Sequence, residues 1–284
     1  MPFAAEKLMT YKLPEVRQTL TQKDTMLYAL GLGLGADPID TRQLRFVYED
    51  GLQALPTMAA VLAYPGFWVK HPDTGVDWVK LLHGEQDMTF HRPLPIEGQL
   101  SATTRVTGIA DKGPGKGALI LSEREIVDGA GTLIATVRQL AFARGDGGSG
   151  SAGRAPDPFP ALPARKPDAE MGIATLPQAA LIYRLSGDYN PLHADPAVAK
   201  AAGFERPILH GLCTYGVAGH AVLATLADYD VTRMKSFRCR FTAPVYPGEV
   251  LLTQMWQESA GLNYWRTSVP ARGIVAAMGT VGLG

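Results

Sequence analysis

Residues 183–211 read YRLSGDYNPLHADPAVAKAAGFERPILHG and lead directly into a run of apolar and small residues over 211–226. The composition of that run predicts a helix that is apolar on most faces, which must be buried, and a curved antiparallel sheet is the natural element to wrap it. The stretch itself places an acid (Asp188), an amide (Asn190) and an imidazole (His193) within six residues. Side chains that exchange protons, next to a helix N-terminus with free N–H groups, can add water across a carbonyl-activated double bond.

The chain around this stretch divides into two similar halves. Residues 90–143 and 241–283 each read as a proline-punctuated loop followed by three β-rich runs separated by turns. Between them, the region from Arg144 to about Lys166 is crowded with Gly, Ser, Pro and Ala, which is typical of a linker. We therefore predict an N-terminal half (1–145), a linker (146–165) and a C-terminal half (166–284).

The first half contains a degenerate copy of the polar stretch. Residues 24–38, DTMLYALGLGLGADP, align with ALIYRLSGDYNPLHADP, so that Tyr28 and Leu30 fall where Tyr183 and Leu185 do. No histidine follows in the copy. If the repeat is real, one half has kept the chemistry and the other has lost it.

Composition limits the possible functions. The 284 residues carry 27 basic and 27 acidic side chains, and this balance argues against a broad nucleic-acid or anionic-membrane surface. Two cysteines without CxxC spacing, Cys213 and Cys239, fit a reducing compartment. We see no leader, no long apolar run and no C-terminal peroxisomal signal, so we expect a cytoplasmic protein that does not span a membrane.

Each polar motif also has a purely structural interpretation. Gly-Asp-x-Asn-Pro is rich in turn formers, so Asp188 and Asn190 could simply build an Asx-turn or a helix cap. The nearby His193 and the second polar group at His210-Gly211 favour a functional interpretation. We expect His210 to be structural and His220 to be a core or surface residue. No histidine pair has zincin spacing and no acidic cluster is present, so we expect no metal.

Other glycine-rich or serine motifs carry little weight. GLGLGA at 31–36 lacks the glycine spacing and the preceding strand of a dinucleotide fingerprint. GPGKGA at 113–118 lacks the P-loop's terminal Lys-Ser/Thr and is predicted to be a hairpin turn. Ser186 lies in no Gly-x-Ser-x-Gly elbow, which makes serine hydrolase chemistry improbable.

The central motif resembles the signature of the MaoC-like, type-2 (R-specific) enoyl-CoA hydratases. The matching pattern is an aromatic residue, Ser-Gly-Asp-x-Asn-Pro-Leu-His and then Pro-Ile-Leu-His-Gly. The resemblance extends over both halves: LHGEQ (82–86), the Pro-Leu-Pro loop (93–95) and DKGPG (111–115) are similar to the substrate-side half of the two-halved members, and RFTAPVYPGE (240–249) is typical of the other half.

The resemblance implies an α+β double hot-dog fold, in which two long buried helices are each wrapped by an antiparallel sheet and the sheets join edge to edge. It implies that Asp188 and His193 are the catalytic pair, that Asn190 holds their geometry and that the Gly211 N–H is the oxyanion donor. Four further residues match positions that contact the acyl-CoA: His83, Gly84, Lys112 and Phe241. No cofactor is implied beyond the coenzyme A carried by the substrate.

The activity implied is the addition of water to a trans-2-enoyl-CoA to give an (R)-3-hydroxyacyl-CoA, reversibly, in fatty acid or related acyl-CoA metabolism. Three alternatives remain open: a 3-hydroxyacyl-thioester dehydratase of a specialised pathway, a thioesterase, and a non-catalytic acyl-CoA-binding subunit. We expect a homodimer, because the joined halves still present surface suited to self-association.

Overall fold

The computed structural model describes residues 3–258 and 261–284. The helices are α1 (Ala5–Met9), α2 (Gln22–Gly31), α3 (Thr41–Leu44), α4 (Ala179–Tyr183), α5 (Pro196–Ala201) and α6 (Gly211–Ala227). The strands are β1 (Val16–Leu20), β2 (Leu81–Phe90), β3 (Gly98–Asp111), β4 (Ala118–Asp128), β5 (Leu133–Ala143), β6 (Ala152–Gly153), β7 (Ala169–Ala174), β8 (Met234–Phe241), β9 (Val250–Trp256), β10 (Leu262–Val269) and β11 (Ile274–Leu283). Short 3₁₀ turns include Pro56–Ala60 and Pro191–His193.

All the strands form one antiparallel sheet. Their order is β1-β3-β4-β5-β2-β8-β11-β10-β9-β7, with β6 paired to β3. The first five strands and the last five repeat one arrangement, and β2 and β8 join them through pairs that run from Glu85–Arg240 to Thr89–Ser236. This confirms the predicted double hot-dog fold, and the three β-rich runs of each half correspond to β3–β5 and β9–β11.

Helix α6 is the centre of the core. Nearly all of its residues are buried, since both halves pack around it. Two glycines allow the N-terminal half to approach closely: a Cβ at Gly219 would lie 2.4 Å from Thr57, and one at Gly216 would lie 2.7 Å from Leu32. The helix that begins at the polar stretch is therefore held by residues from the other half of the chain.

The fold departs from the expectation of two long buried helices. Within the described residues of the first half, no long helix packs along α6: the 3₁₀ turn Pro56–Ala60 contacts it, together with Leu32 just after α2. The chain leaves helical geometry at Ala63, whose φ is +43°, and Tyr64-Pro65-Gly66 cannot continue a helix. The 10-residue α2 is the longest helix among the described residues of this half.

The predicted linker runs along the outer face of the sheet. Its β6 pairs with β3, and its Phe159 ring lies 4.9 Å from the guanidinium of Arg238 and 4.1 Å from that of Arg240. Arg238 also donates to the Pro158 carbonyl. The linker thus contacts the junction between β2 and β8. The residue bounds of the three predicted units remain a prediction.

No helix in the described part of the chain combines the length and the apolar composition that crossing a bilayer requires.

Candidate active site

The loop between α4 and α5 carries the acid and the imidazole, and its own turn residues fix its shape. The Asn190 side chain caps the Pro191–His193 turn, because its Oδ1 accepts from the Leu192 N–H at 3.1 Å. The Asn190 N–H donates in turn to Asp188 Oδ1 at 3.2 Å. The turn-forming role considered for Asp188 and Asn190 is therefore real, and it sets the backbone that presents Asp188 and His193.

His193 is buried, with its ring orientation fixed by the backbone. Its Nδ1 lies 2.9 Å from the Ile208 carbonyl oxygen, which can only accept, so Nδ1 carries the proton and Nε2 keeps a lone pair. Burial lowers the pKa of His193 below the usual histidine value. The imidazole is therefore neutral at neutral pH and able to accept a proton.

His210 lies against His193 with a ring separation of 3.8 Å and an interplanar angle of 30°. It is 1% exposed, and its Nε2 donates to the Asp188 carbonyl oxygen at 3.1 Å. Burial and the neighbouring His193 lower the pKa of His210 to about 3. His210 supports both members of the predicted pair, a contact that residue spacing alone does not predict.

A carboxylate oxygen of Asp188 and one ring nitrogen each from His193 and His210 lie within 4.8 Å of one another. The structure therefore brings the predicted acid and imidazole together. His220, on α6, lies apart in the core, where its ring nitrogens contact the Leu32 carbonyl at 3.1 Å and the Tyr229 hydroxyl at 3.2 Å. Of the two placements expected for it, core or surface, the structure shows the core.

Gly211 is the first residue of α6, and its N–H donates to no acceptor within residues 3–258 and 261–284. The Phe241 ring would lie 3.3 Å from a Cβ at this position, so a larger residue would press on that ring. Phe241 also meets His83 edge to face, with 4.9 Å between ring centroids. An available amide at the start of the helix is suited to an anionic oxygen.

The remaining predicted substrate residues differ in their placement. Gly84 lies at a bulge between His83 and Glu85 of β2, where a Cβ would come within 3.0 Å of Leu140. Lys112 is exposed at the turn between β3 and β4, with its Nζ 5.9 Å from the Phe142 ring. It does not line the cleft at Asp188. The same turn confirms the hairpin predicted for GPGKGA.

A cleft with about 470 Å³ of empty space opens beside Asp188. Both halves line it: Ala60, Val61, Tyr64, His83, Gln86, Arg124, Val137, Gln139, Gly187, Asp188 and Leu212. Sequence reasoning missed Tyr64, Arg124 and the glutamines. A signal for Arg124 was present, because the alternation of β4 places it on the same inward side as Ile120 and Ile126.

The buried histidines predict a loss of stability in mild acid. Burial lowers the pKa of His83 to about 4 and that of His210 to about 3, and it also lowers the pKa of His193 and His220. Below pH 6.5, the ordinary pKa of histidine, these side chains are protonated in the unfolded chain but stay neutral in the folded one. The stability present above pH 6.5 is therefore lost as the pH falls towards 4. Each buried histidine lowers the free energy of unfolding by at most about 1.4 kcal/mol for each pH unit in this range. Denaturant unfolding at several pH values measures this, and an unchanged free energy of unfolding between pH 7 and 5 would contradict it.

Comparison with known families and proteins gives consistent matches over both halves. The family described as "MaoC like domain" matches residues 158–272, and the one described as "MFE-2 hydratase 2 N-terminal domain" matches residues 18–145. The chain is 41% identical to enoyl-CoA hydratase ChsH3 of Mycobacterium tuberculosis, over 92% of each chain. It is 38% identical to the peroxisomal enoyl-CoA hydratase 2 of Arabidopsis thaliana, over 98% of this chain and 95% of the relative. Among solved structures, a MaoC-like dehydratase from Phytophthora capsici superposes with a TM-score of 0.87 at 34% identity, covering 98% of this chain and 97% of the other.

Proposed function

The chain belongs to the MaoC-like family in its two-domain form, with an MFE-2 hydratase 2 N-terminal domain, and we propose the following reaction for it. It is a hydro-lyase of the enoyl-CoA hydratase kind. It adds water to a trans-2-enoyl-CoA and gives the (R)-3-hydroxyacyl-CoA, and the reverse dehydration uses the same groups. Two observations support this proposal: Asp188 lines the cleft with His193 close to it, and Gly211 precedes Leu212, which lines the same cleft.

In the proposed reaction Asp188 and His193 hold one water molecule between them. Conjugation with the thioester makes C3 of the substrate electrophilic. The water oxygen bonds to C3 while one of the pair accepts its proton, and a proton is delivered to C2 from the same face. The neutral His193, with its Nε2 lone pair, is equipped to accept that proton.

The negative charge that develops on the thioester oxygen must be stabilised by a hydrogen-bond donor. We assign this role to the Gly211 N–H, which donates to no acceptor in the described part of the chain and lies at the positive end of the 17-residue α6. Phe241, packed beside Gly211, and His83, packed against Phe241, complete the wall on which the thioester lies. A donor of this kind contributes roughly 3–4 kcal/mol to the lowering of the barrier where one has been removed in other enzymes.

The convergence of the Asp188 carboxylate with the imidazoles, within 4.8 Å, is the observation that carries the proposal. Its test is the ultraviolet absorbance of the conjugated thioester in crotonyl-CoA and in a long-chain enoyl-CoA after protein is added. Loss of the absorbance without free thiol indicates hydration. Release of thiol would instead indicate a thioesterase, and unchanged absorbance with measurable binding would indicate a non-catalytic subunit.

We propose that the reaction needs no cofactor, although the cluster could accept a metal ion. The donor atoms of Asp188, His193 and His210 are close enough to do so. Metal binding would occupy the same atoms that the water requires, so a metal should inhibit rather than assist. Dialysis against EDTA is expected to leave the hydration rate unchanged, and added zinc is expected to lower it. Loss of activity on chelation, restored by zinc, would contradict this.

We further propose a cytoplasmic homodimer acting in β-oxidation or a related acyl-CoA pathway. Unpaired, buried Cys213 and Cys239 fit a reducing compartment. The packed helices α2 and α4 carry the exposed Leu30 and Leu181, and Leu185 is exposed in the turn after α4; these leucines are suited to a partner surface. Light scattering on a size-exclusion column should give twice the 30.4 kDa of one chain, and a mass of one chain would contradict the dimer.

A further inference from the structure

Arg124 is a buried positive charge that the mechanism above does not use. It lies on β4 of the N-terminal half and is 5% exposed. Within residues 3–258 and 261–284 it makes no ion pair with a carboxylate. Burying an unpaired charge is costly, so a buried guanidinium needs either neutral hydrogen-bond acceptors or an anion that arrives from outside.

The protein satisfies this guanidinium only in part. Nη2 donates to the carbonyl oxygens of Ala59 and Ala60, at 3.0 and 2.7 Å, at the end of the Pro56–Ala60 turn. Nε is buried and has no partner within the described residues. Burial lowers the pKa of Arg124 to about 10, which leaves it fully charged at neutral pH.

The unsatisfied charge borders the cleft that Asp188 also lines. The neighbouring lining is polar: the Tyr64 ring lies 5.3 Å from the guanidinium, and Gln86 and Gln139 border the same space. A purely aliphatic acyl chain would displace water from the Arg124 guanidinium without offering it an acceptor. The cleft therefore has a catalytic end at Asp188 and a cationic, polar region in the N-terminal half.

We infer that Arg124 receives a carboxylate carried at the far end of the acyl chain. The preferred substrate class is then the trans-2-enoyl-CoA thioesters of dicarboxylic acids. This inference rests on the proposed hydratase function and specifies its substrate. Arginine suits the role because its charge is permanent and its planar group donates several hydrogen bonds to a carboxylate.

The test compares two matched substrates over a series of chain lengths: an ω-carboxy-trans-2-enoyl-CoA and the ω-carboxamide of the same length. The two have nearly the same shape and differ in charge. With the wild-type protein, kcat/KM is expected to favour the carboxylate by at least about tenfold at the best length. Equal kcat/KM for the two would overturn the inference and leave the hydratase function standing. Failure to hydrate either of them, or crotonyl-CoA, would instead overturn the proposed function.

Two variants locate the preference at Arg124. In Arg124→Met the carboxylate-to-carboxamide ratio should fall at least about tenfold, whereas Arg124→Lys should retain a preference for the carboxylate. An equal loss for both substrates in Arg124→Met would mean that Arg124 acts through the fold or through Asp188, and would overturn the inference. If Arg124→Met does not fold, competition in the wild type decides: a saturated ω-carboxyacyl-CoA should inhibit crotonyl-CoA hydration more strongly than its carboxamide, and equal inhibition would overturn the inference.

Discussion

Asp188→Ala is expected to lower kcat for enoyl-CoA hydration by at least about a hundredfold while the protein remains folded. The carboxylate lines the cleft and is held by the Asn190 N–H, so its loss removes one of the two groups that position the attacking water. The Pro191–His193 turn should keep its shape, because its Asn190 cap on Leu192 does not involve the Asp188 side chain. Stopped or continuous assays of the conjugated-thioester absorbance measure the change, and circular dichroism checks the fold.

His193→Ala should cause a loss of similar size, since the imidazole is the other group on the same water. Groups that act as a unit are strongly non-additive, so the double variant should lose little more than either single variant. Asp195→Ala is a suitable control on the same loop. Its side chain caps α5 through the Ala197 N–H, so its removal should lower the melting temperature without a comparable loss of kcat. A fully active Asp188→Ala/His193→Ala protein would refute the assignment.

Glu85→Ala is expected to lower the free energy of unfolding by about 3 kcal/mol. Glu85 lies on β2, at the junction with β8, and is largely buried. Its carboxylate accepts from Arg238 at 2.9 Å and from Arg240 at 2.9 Å, so one acid holds two cations of the opposite half. Removing the acid leaves two guanidinium groups side by side, partly shielded from water, without their counter-charge.

The matched control is Glu15→Ala. Glu15 pairs with Arg17 in an exposed ion pair, and breaking such a pair typically costs 0–1 kcal/mol. Denaturant unfolding of both variants gives the comparison. Equal free energies of unfolding for Glu85→Ala and the wild type would show that the junction is held by strand pairing and packing alone.

Local patterns were sufficient to predict much of this fold. The run after Gly211 predicted a buried helix, and the alternation and turns of 90–143 and 241–283 predicted three strands each, because these signals depend on near neighbours in the chain. The expected long buried helix of the first half was wrong, because the family resemblance was extended to residues 56–66 without regard to their own sequence. Pro56, Pro65 and Gly66 limit that segment to a 3₁₀ turn, and those residues were visible in the sequence.

The sequence predicted only part of the candidate site. Asp188, Asn190 and His193 share one loop, so their spacing predicted their convergence. The stacking of His210 on His193 and the approach of Phe241 to Gly211 depend on how distant elements pack, which spacing does not encode. Arg124 comes from the other half of the chain, and only the fold brings it to the cleft that Asp188 lines.

The pairing of β2 with β8 has a consequence for how such a gene can evolve. If the two halves were encoded as separate polypeptides, β2 and β8 would each become an exposed edge strand. The unpaired backbone groups of such an edge make it prone to aggregation. The N-terminal product would keep the cationic part of the cleft and the C-terminal product the reactive loop, so neither would be a working unit. Selection should therefore keep the two coding regions fused, or hold them in an obligate heteromer whose subunits are made together.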